Sequence, residues 1–231
     1  MNHYQRGIFA ILSVTLLGGA LGCGEEVESG EEQPWWSGLP YATEVVAFEP
    51  GEGAGFGADK MPDIVLGPPG GGTTTSGSLD VVSLGGGGEI VLGFGDQEIV
   101  NGEGPDFVVF ENPFWAGGDD AQVFAELGEV SVSVDGEEWH YFECPFTSDD
   151  PPPYPGCAGW SPTKSFDAEQ VVPLDPEITG GDAFDLSEVG LERARFVRIR
   201  DLWGIGEAPV QGFDLDAVGL IHHAEVESAE E

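Results

Sequence analysis

Short apolar runs separated by turn residues fill most of the chain, and the 3.6-residue spacing of an amphipathic helix is rare. The clearest pattern is "VSVSVDGEEWHYF". Val130, Val132 and Val134 alternate there with Ser131 and Ser133, Asp135-Gly136 reads as a two-residue type I′ turn, and Trp139 and Tyr141 lie on the returning arm. In "ARFVRIRDL", Val197 and Ile199 share one face and Arg198 and Arg200 the other. "FDLDAVGLI" predicts the last strand, "TEVVAFEP" a short early one, and "MPDIVLGPPGGG" a run ending in a Pro-Gly turn. "SLDVVSLGGGGEIVLGF" predicts two strands, 80–84 and 89–94, joined as a hairpin across four glycines. Neither a helix start nor a Lys-Ser/Thr pair follows those glycines, as a phosphate-binding loop requires. The best helix candidate is "DDAQVFAEL", 119–127, with Asp119 placed to cap it.

"GPDFVVFENPF" stands apart. Four consecutive apolar residues, Phe107 to Phe110, predict a strand buried on both faces. Carboxylates stand at its two ends, Asp106 after a Gly-Pro turn and Glu111 beside Asn112. Buried carboxylates are costly unless paired or holding a cation. In an extended strand the two lie roughly 16 Å apart, so they do not share one ion. Asp106 reads as a turn cap, which leaves Glu111 as the carboxylate to explain.

Composition narrows the class. Gly (37 residues) and Pro (17) punctuate the apolar runs, as expected of short strands joined by turns. Residues 1–22 have the layout of a secretory leader, with Arg6, an apolar stretch too short to span a bilayer, and small residues. "LLGGALGC" resembles the bacterial lipobox, which implies that Cys23 is the lipidated first residue of the mature chain. Gly24 then favours the outer membrane of a Gram-negative cell. Residues 23–40 form an acidic tether containing Trp35 and Trp36, which either dock onto the domain or stack on a ligand. Residues 41–223 form one β domain and 224–231 an acidic tail. The net charge of −36 argues against nucleic acid and anionic lipid as partners, so membrane contact is expected through the lipid alone. With Cys23 lipidated, Cys144 and Cys157 remain as a disulfide pair around a Pro-rich loop.

"VSVSVDGEEWHYF" followed by "RARFVRIRDL" resembles the signature of discoidin-like, galactose-binding-fold modules. The set "VVSLGGGGEIVLGF", "GPDFVVFENPF", "GGDAFDL" and "GFDLDAVGLI", in that order, is similar to an uncharacterised group of bacterial cell-surface lipoproteins. The resemblance covers roughly residues 80–221. It implies an all-β, antiparallel jelly-roll β-sandwich of the galactose-binding-domain type. Many such sandwiches carry a structural calcium ion and bind ligands through loops at one end.

Calcium takes hard oxygen ligands. Six acids could supply them: Asp106, Glu111, Asp182, Asp185, Asp214 and Asp216. The expected set is Glu111, Asp185, Asp214 and Asp216 from these, together with Asn112, with Asp214 and Asp216 facing the same side two apart. The competing reading makes each acid a turn cap or a partner of Arg193, Arg195, Arg198 or Arg200. No nucleophile–base motif appears, and acids are too abundant for paired carboxylates alone to imply glycoside hydrolysis. The expectation is therefore a non-catalytic, calcium-stabilised surface module binding a glycan, polymer or partner protein. Trp115, Trp160 and Trp203 are its candidate contact residues. The alternatives are a structural envelope component and a carboxylate-dependent glycoside hydrolase.

Overall fold

The computed structural model describes residues 34–70, 73–120, 122–145, 152–164, 174–202 and 212–226. Cys23 and Trp203 lie outside them. In chain order the strands are β1 (Glu44–Glu49), β2 (Val82–Ser83), β3 (Glu89–Gly93), β4 (Gln97–Val100), β5 (Phe107–Phe110) and β6 (Phe114–Trp115). Then follow β7 (Val123–Phe124), β8 (Gly128–Ser133), β9 (His140–Tyr141), β10 (Cys157–Ala158) and β11 (Asp182–Phe184). The last are β12 (Arg193–Ala194), β13 (Phe196–Asp201), β14 (Asp214–Leu215), β15 (Ala217–Leu220) and β16 (His223–Glu225). The pairings among these strands are antiparallel. The chain is an all-β, sandwich-like domain.

The largest sheet runs β1-β3-β13-β8-β10, with β9 added on β8. Its register stacks Leu92, Val197 and Val132 in one row and Ile90, Ile199 and Val130 in the next. Facing them is the β11-β5-β15 sheet, which sends Phe107, Val109, Phe184, Val218 and Leu220 into the same buried cluster. The other face of β5 is covered as well: Val108 and Phe110 join a second cluster with Tyr41, Leu174 and Ala217. The unbroken apolar run of β5 is thus what a strand covered on both sides requires. Each such side chain contributes about 1.5–3 kcal/mol by leaving water. The Cys144–Cys157 disulfide forms, tying β10 to the segment after β9.

Several local expectations give way to long-range pairing. Residues 80–84 and 89–94 do not form a hairpin: β2 pairs with β14, while β3 pairs with β1 and β13. Gly85 and Gly88 are tightly enclosed, a Cβ on Gly88 standing 1.9 Å from the Leu84 carbonyl oxygen, whereas one on Gly87 would meet nothing. "MPDIVLG" forms a short 3-10 turn, Asp63–Val65, in place of a strand. Residues 119–127 are not a helix, because Val123 and Phe124 pair with Trp115 and Phe114. The β8–β9 connection is longer than two residues, since Val132 pairs with His140. Asp135 caps that loop by accepting from the Glu137 and Glu138 amides. Trp36 docks, lying against the backbone of Gly67, while Trp35 stays exposed.

Candidate functional site

Glu111 is the first residue past β5, and Asp216 occupies the break between β14 and β15. Register brings these points together, because Ala217 pairs with Phe110 and the Asp216 amide donates to the Phe110 carbonyl. Glu111 accepts a 3.1 Å hydrogen bond from the Asp214 amide through Oε1. Asp214 itself is held by Ser83 and by the Asn112 side chain. The Asn112 carbonyl oxygen accepts in turn from the Ser78 amide. Asn112 therefore braces Asp214 while its own oxygen is already engaged.

Glu126 joins this group, although its position within an expected helix concealed it. Glu111 is 3 %, Asp216 3 %, Asp214 8 % and Glu126 9 % exposed. Each has one carboxylate oxygen that is buried and without a hydrogen-bond partner: Glu111 Oε2, Glu126 Oε1, Asp214 Oδ1 and Asp216 Oδ2. Thr163 Oγ1 is in the same condition. Glu111, Asn112, Thr163 and Asp216 line a cavity of about 10 Å³, the order of space that one water or one ion occupies.

Electrostatics makes the cluster unfavourable as it stands. Burial pushes the Glu111 carboxyl well above the ordinary range, and the charges of Asp214, Glu126 and Asp182 push it further, against one amide bond from Asp214. Glu126 is pushed up to about 8, by burial first and then by Asp214 and Asp201. Burial raises Asp214 too, opposed by Ser83 and Asn112. Asp216 is raised strongly by burial, opposed by the 2.8 Å bond from the Gly70 amide, with Asp80 adding to the rise. Asp201 adds to the rise at Asp214, as Asp80 does at Asp216.

The basic residues lie elsewhere. Arg193 pairs with Glu98 at 3.2 Å. Arg198 pairs with Glu89 at 3.9 Å and lies over the Trp139 ring, 4.2 Å from its centroid. Among the described residues, these ion pairs and that of His222 with Asp106 do not involve Glu111, Glu126, Asp214 or Asp216. Neutralisation by arginine is thus not what holds Glu111, Glu126, Asp214 and Asp216.

Other acids have ordinary structural partners. Asp106 accepts from the Gly102 and Leu186 amides at 2.7 Å each and meets His222 Nδ1 at 2.9 Å, so it caps its turn as expected. Asp185 stands apart from the expected set: it caps the 3-10 turn Leu186–Val189, accepting from the Ser187 amide. Asp201 accepts from the Gly87 and Phe213 amides at 2.8 Å each. Asp182 accepts from the Gly159, Trp160 and Ser161 amides, and is held at about 7 because burial outweighs those three donors.

The donor set suits a hard cation, being carboxylate and hydroxyl oxygens with no thiol or imidazole. Among the described residues, no group of three or more His, Cys, Asp or Glu side chains is placed to hold a metal ion. Calcium also takes hydroxyl, carbonyl and water oxygens, and the Thr163 hydroxyl and the cavity supply room for them. Glu111 and Asp216 bring carboxylates, and Thr163 a hydroxyl, to the small cavity, while Glu126 and Asp214 lie outside its lining.

Of the expected contact aromatics, Trp115 is half-buried in β6. Trp160 is half-buried, with its ring N–H donating to the Cys157 carbonyl. No protein-family model matches the chain, and neither does any curated protein or solved structure.

Proposed function

We propose that this chain is a non-catalytic, lipid-anchored cell-surface module of the jelly-roll, galactose-binding type. In this reading its β-sandwich is stabilised by calcium, and it binds a glycan, polymer or partner protein through loops at one end. One observation carries the proposal: four buried carboxylates, each presenting an oxygen with no hydrogen-bond partner. Burying such groups charged and unpaired costs several kcal/mol each, so each either keeps a proton or meets a charge partner. A divalent ion would satisfy the open oxygens and reverse the upward push on the carboxyls.

Glu111 and Glu126, with raised carboxyls in proximity, also suggest a general acid for glycoside hydrolysis. The adjoining cavity of about 10 Å³ favours the cation, because a sugar ring does not fit it. A module that binds no small ligand and serves the envelope structurally is the remaining alternative.

Calorimetric titration of calcium into the chelator-stripped mature protein tests the core of the reading. Saturable binding accompanied by a rise in melting temperature is expected. A melting curve indifferent to both EDTA and calcium would discard it. A glycan array separates the ligand-binding form of the proposal from the envelope-component form, and chromogenic glycosides test for hydrolysis.

A further inference from the structure

A cleft of about 470 Å³ opens where the segment 155–164 meets the segment 176–188. Its volume lies in the range of small-molecule sites, about 300–1,000 Å³. None of the acids Glu111, Glu126, Asp214 and Asp216 lines it.

Trp160 lines the cleft and is half-buried there. Its ring N–H is already engaged, donating to the Cys157 carbonyl at 3.1 Å, and the Tyr154 ring meets it edge-on at 85°. The backbone beneath is held as well, because the Gly159, Trp160 and Ser161 amides all donate to Asp182. The disulfide fixes the start of the segment at Cys157. A ring held in this way has no donor left to offer. What remains to it is π surface, whose quadrupole attracts positive charge.

The charges around the ring have the matching sign. Three carboxylates line the cleft, those of Glu177, Asp182 and Glu188, against one ammonium, that of Lys164. The Lys164 ammonium donates to the Glu177 carbonyl oxygen at 3.4 Å. Glu177 and Glu188 are exposed and keep their charge in water, while Asp182 is buried. Burial outweighs the three amide donors at Asp182 and holds it at about 7, so positive charge brought nearby favours its ionised form. The net charge of −36 draws cations toward such a surface and repels anions. Pro155 and Pro176 add apolar wall, against which a ligand's carbon atoms leave water. An inorganic ion makes no use of that wall, whereas an ammonium ion carrying alkyl groups uses ring, carboxylates and wall together.

We infer that this cleft binds an organic ammonium ion, with the Trp160 ring against the charge and Glu177 and Glu188 as its counter-ions. The site stands apart from the calcium reading, so binding persists in EDTA and either can fail alone.

The test uses the full chain in about 0.15 M NaCl, which screens diffuse attraction, once with EDTA and once with calcium. Choline, cadaverine and acetyl-lysine methylamide are the probes, read by calorimetry and saturation-transfer NMR. At least one binds saturably at a single site in both media. Its affinity falls about tenfold in Trp160→Leu, by less in Trp160→Phe, and about threefold in each of Glu177→Gln and Glu188→Gln. Lys164→Met removes the competing ammonium and tightens binding about threefold. Melting temperatures show which variants stay folded, and the glutamine variants, at exposed positions, keep the test decisive if Trp160→Leu does not. A preference for acetyl-lysine methylamide assigns the ammonium to a lysine side chain of a partner and a preference for choline or cadaverine assigns it to a free amine; either supports the site. Binding that magnesium displaces at equal charge, or that survives Trp160→Leu unchanged, is diffuse attraction to an acidic chain and overturns the site. Binding of cellobiose with none of the ammonium probes overturns the ligand class. Absence of binding by every probe overturns the inference, whatever calcium does.

Discussion

Glu126→Gln changes a charge at nearly constant shape, and so separates a cation ligand from an ordinary buried acid. In the cation-free protein the Glu126 carboxyl is pushed up to about 8 from 4.5, by burial and then by the charges of Asp214 and Asp201. Between those two values the folded state binds more protons than the unfolded state, so cation-free stability falls as pH rises from about 4.5 toward 8. One pKa unit corresponds to about 1.4 kcal/mol. The roughly 3 units between pH 4.5 and 7.5 set a ceiling of about 4 kcal/mol, and halving it for residual hydration leaves about 2 kcal/mol. Glutamine removes that penalty. In EDTA at pH 7.5 the variant is therefore expected to melt about 4–8 °C above the wild type, and at pH 5 the two converge. Calcium reverses the order. The wild type gains about 2.7 kcal/mol when calcium is at a hundred times its Kd, while the variant has lost an anionic ligand and gains less. Scanning calorimetry of both proteins at pH 5 and 7.5, with EDTA and with about 1 mM calcium, reads all of this. A variant that melts below the wild type in EDTA at pH 7.5, or that keeps the full calcium shift, would refute the reasoning.

Four further predictions concern the frame around the site. Replacing Cys144 and Cys157 by Ser opens a bridge of sequence separation 13; the loop-entropy model gives a loss of about 3 kcal/mol, a fall in melting temperature of about 6–12 °C on a thermal scan. Asp106→Ala strands the Gly102 and Leu186 amides and frees His222, with an expected loss of about 3 kcal/mol in urea denaturation. Asp185→Ala removes only a cap bond to Ser187, costs about 1 kcal/mol and leaves calcium affinity unchanged; a lowered affinity would return Asp185 to the ligand set. Gly181→Ala places a Cβ 2.6 Å from Val108 at a backbone φ of +81°, and destabilises by about 2 kcal/mol or more, read as a fall in urea midpoint.

The strand character of this chain is visible in its local pattern. Val130 and Val132 on β8, and Val197 and Ile199 on β13, occupy the core face that their alternation requires, because side chains in a strand point to opposite faces by geometry alone. The double burial of β5 was legible for the same reason, as was the role of Asp106 at its start. Local pattern misled where two continuations were both sterically sound. Residues 119–127 carry a cap and helix-forming residues, yet pairing of Val123 and Phe124 with Trp115 and Phe114 prevails. A hairpin across Gly85–Gly88 is locally reasonable, but β14 competes successfully for β2.

The candidate site divides along the same line. Glu111 was conspicuous, because a carboxylate ending an apolar strand raises a desolvation problem that sequence alone states. Its association with Asp214 follows from both being strand-end acids in a small fold. Glu126, Asp201 and Thr163 carry no such local mark, and Asp182 stood out only as one of six candidate acids. They reach the cluster from distant points in the chain, through register and through the Asp182 contacts to the amides of 159–161. Sequence by itself determined the strands β5, β8 and β13, the faces they bury and which acid lacks a local partner, since these depend on backbone geometry and side-chain polarity over a few residues. Tertiary structure alone decided which strands pair and which carboxylates share a cavity, because both depend on contacts between residues far apart in the chain, whose energies outweigh local preference.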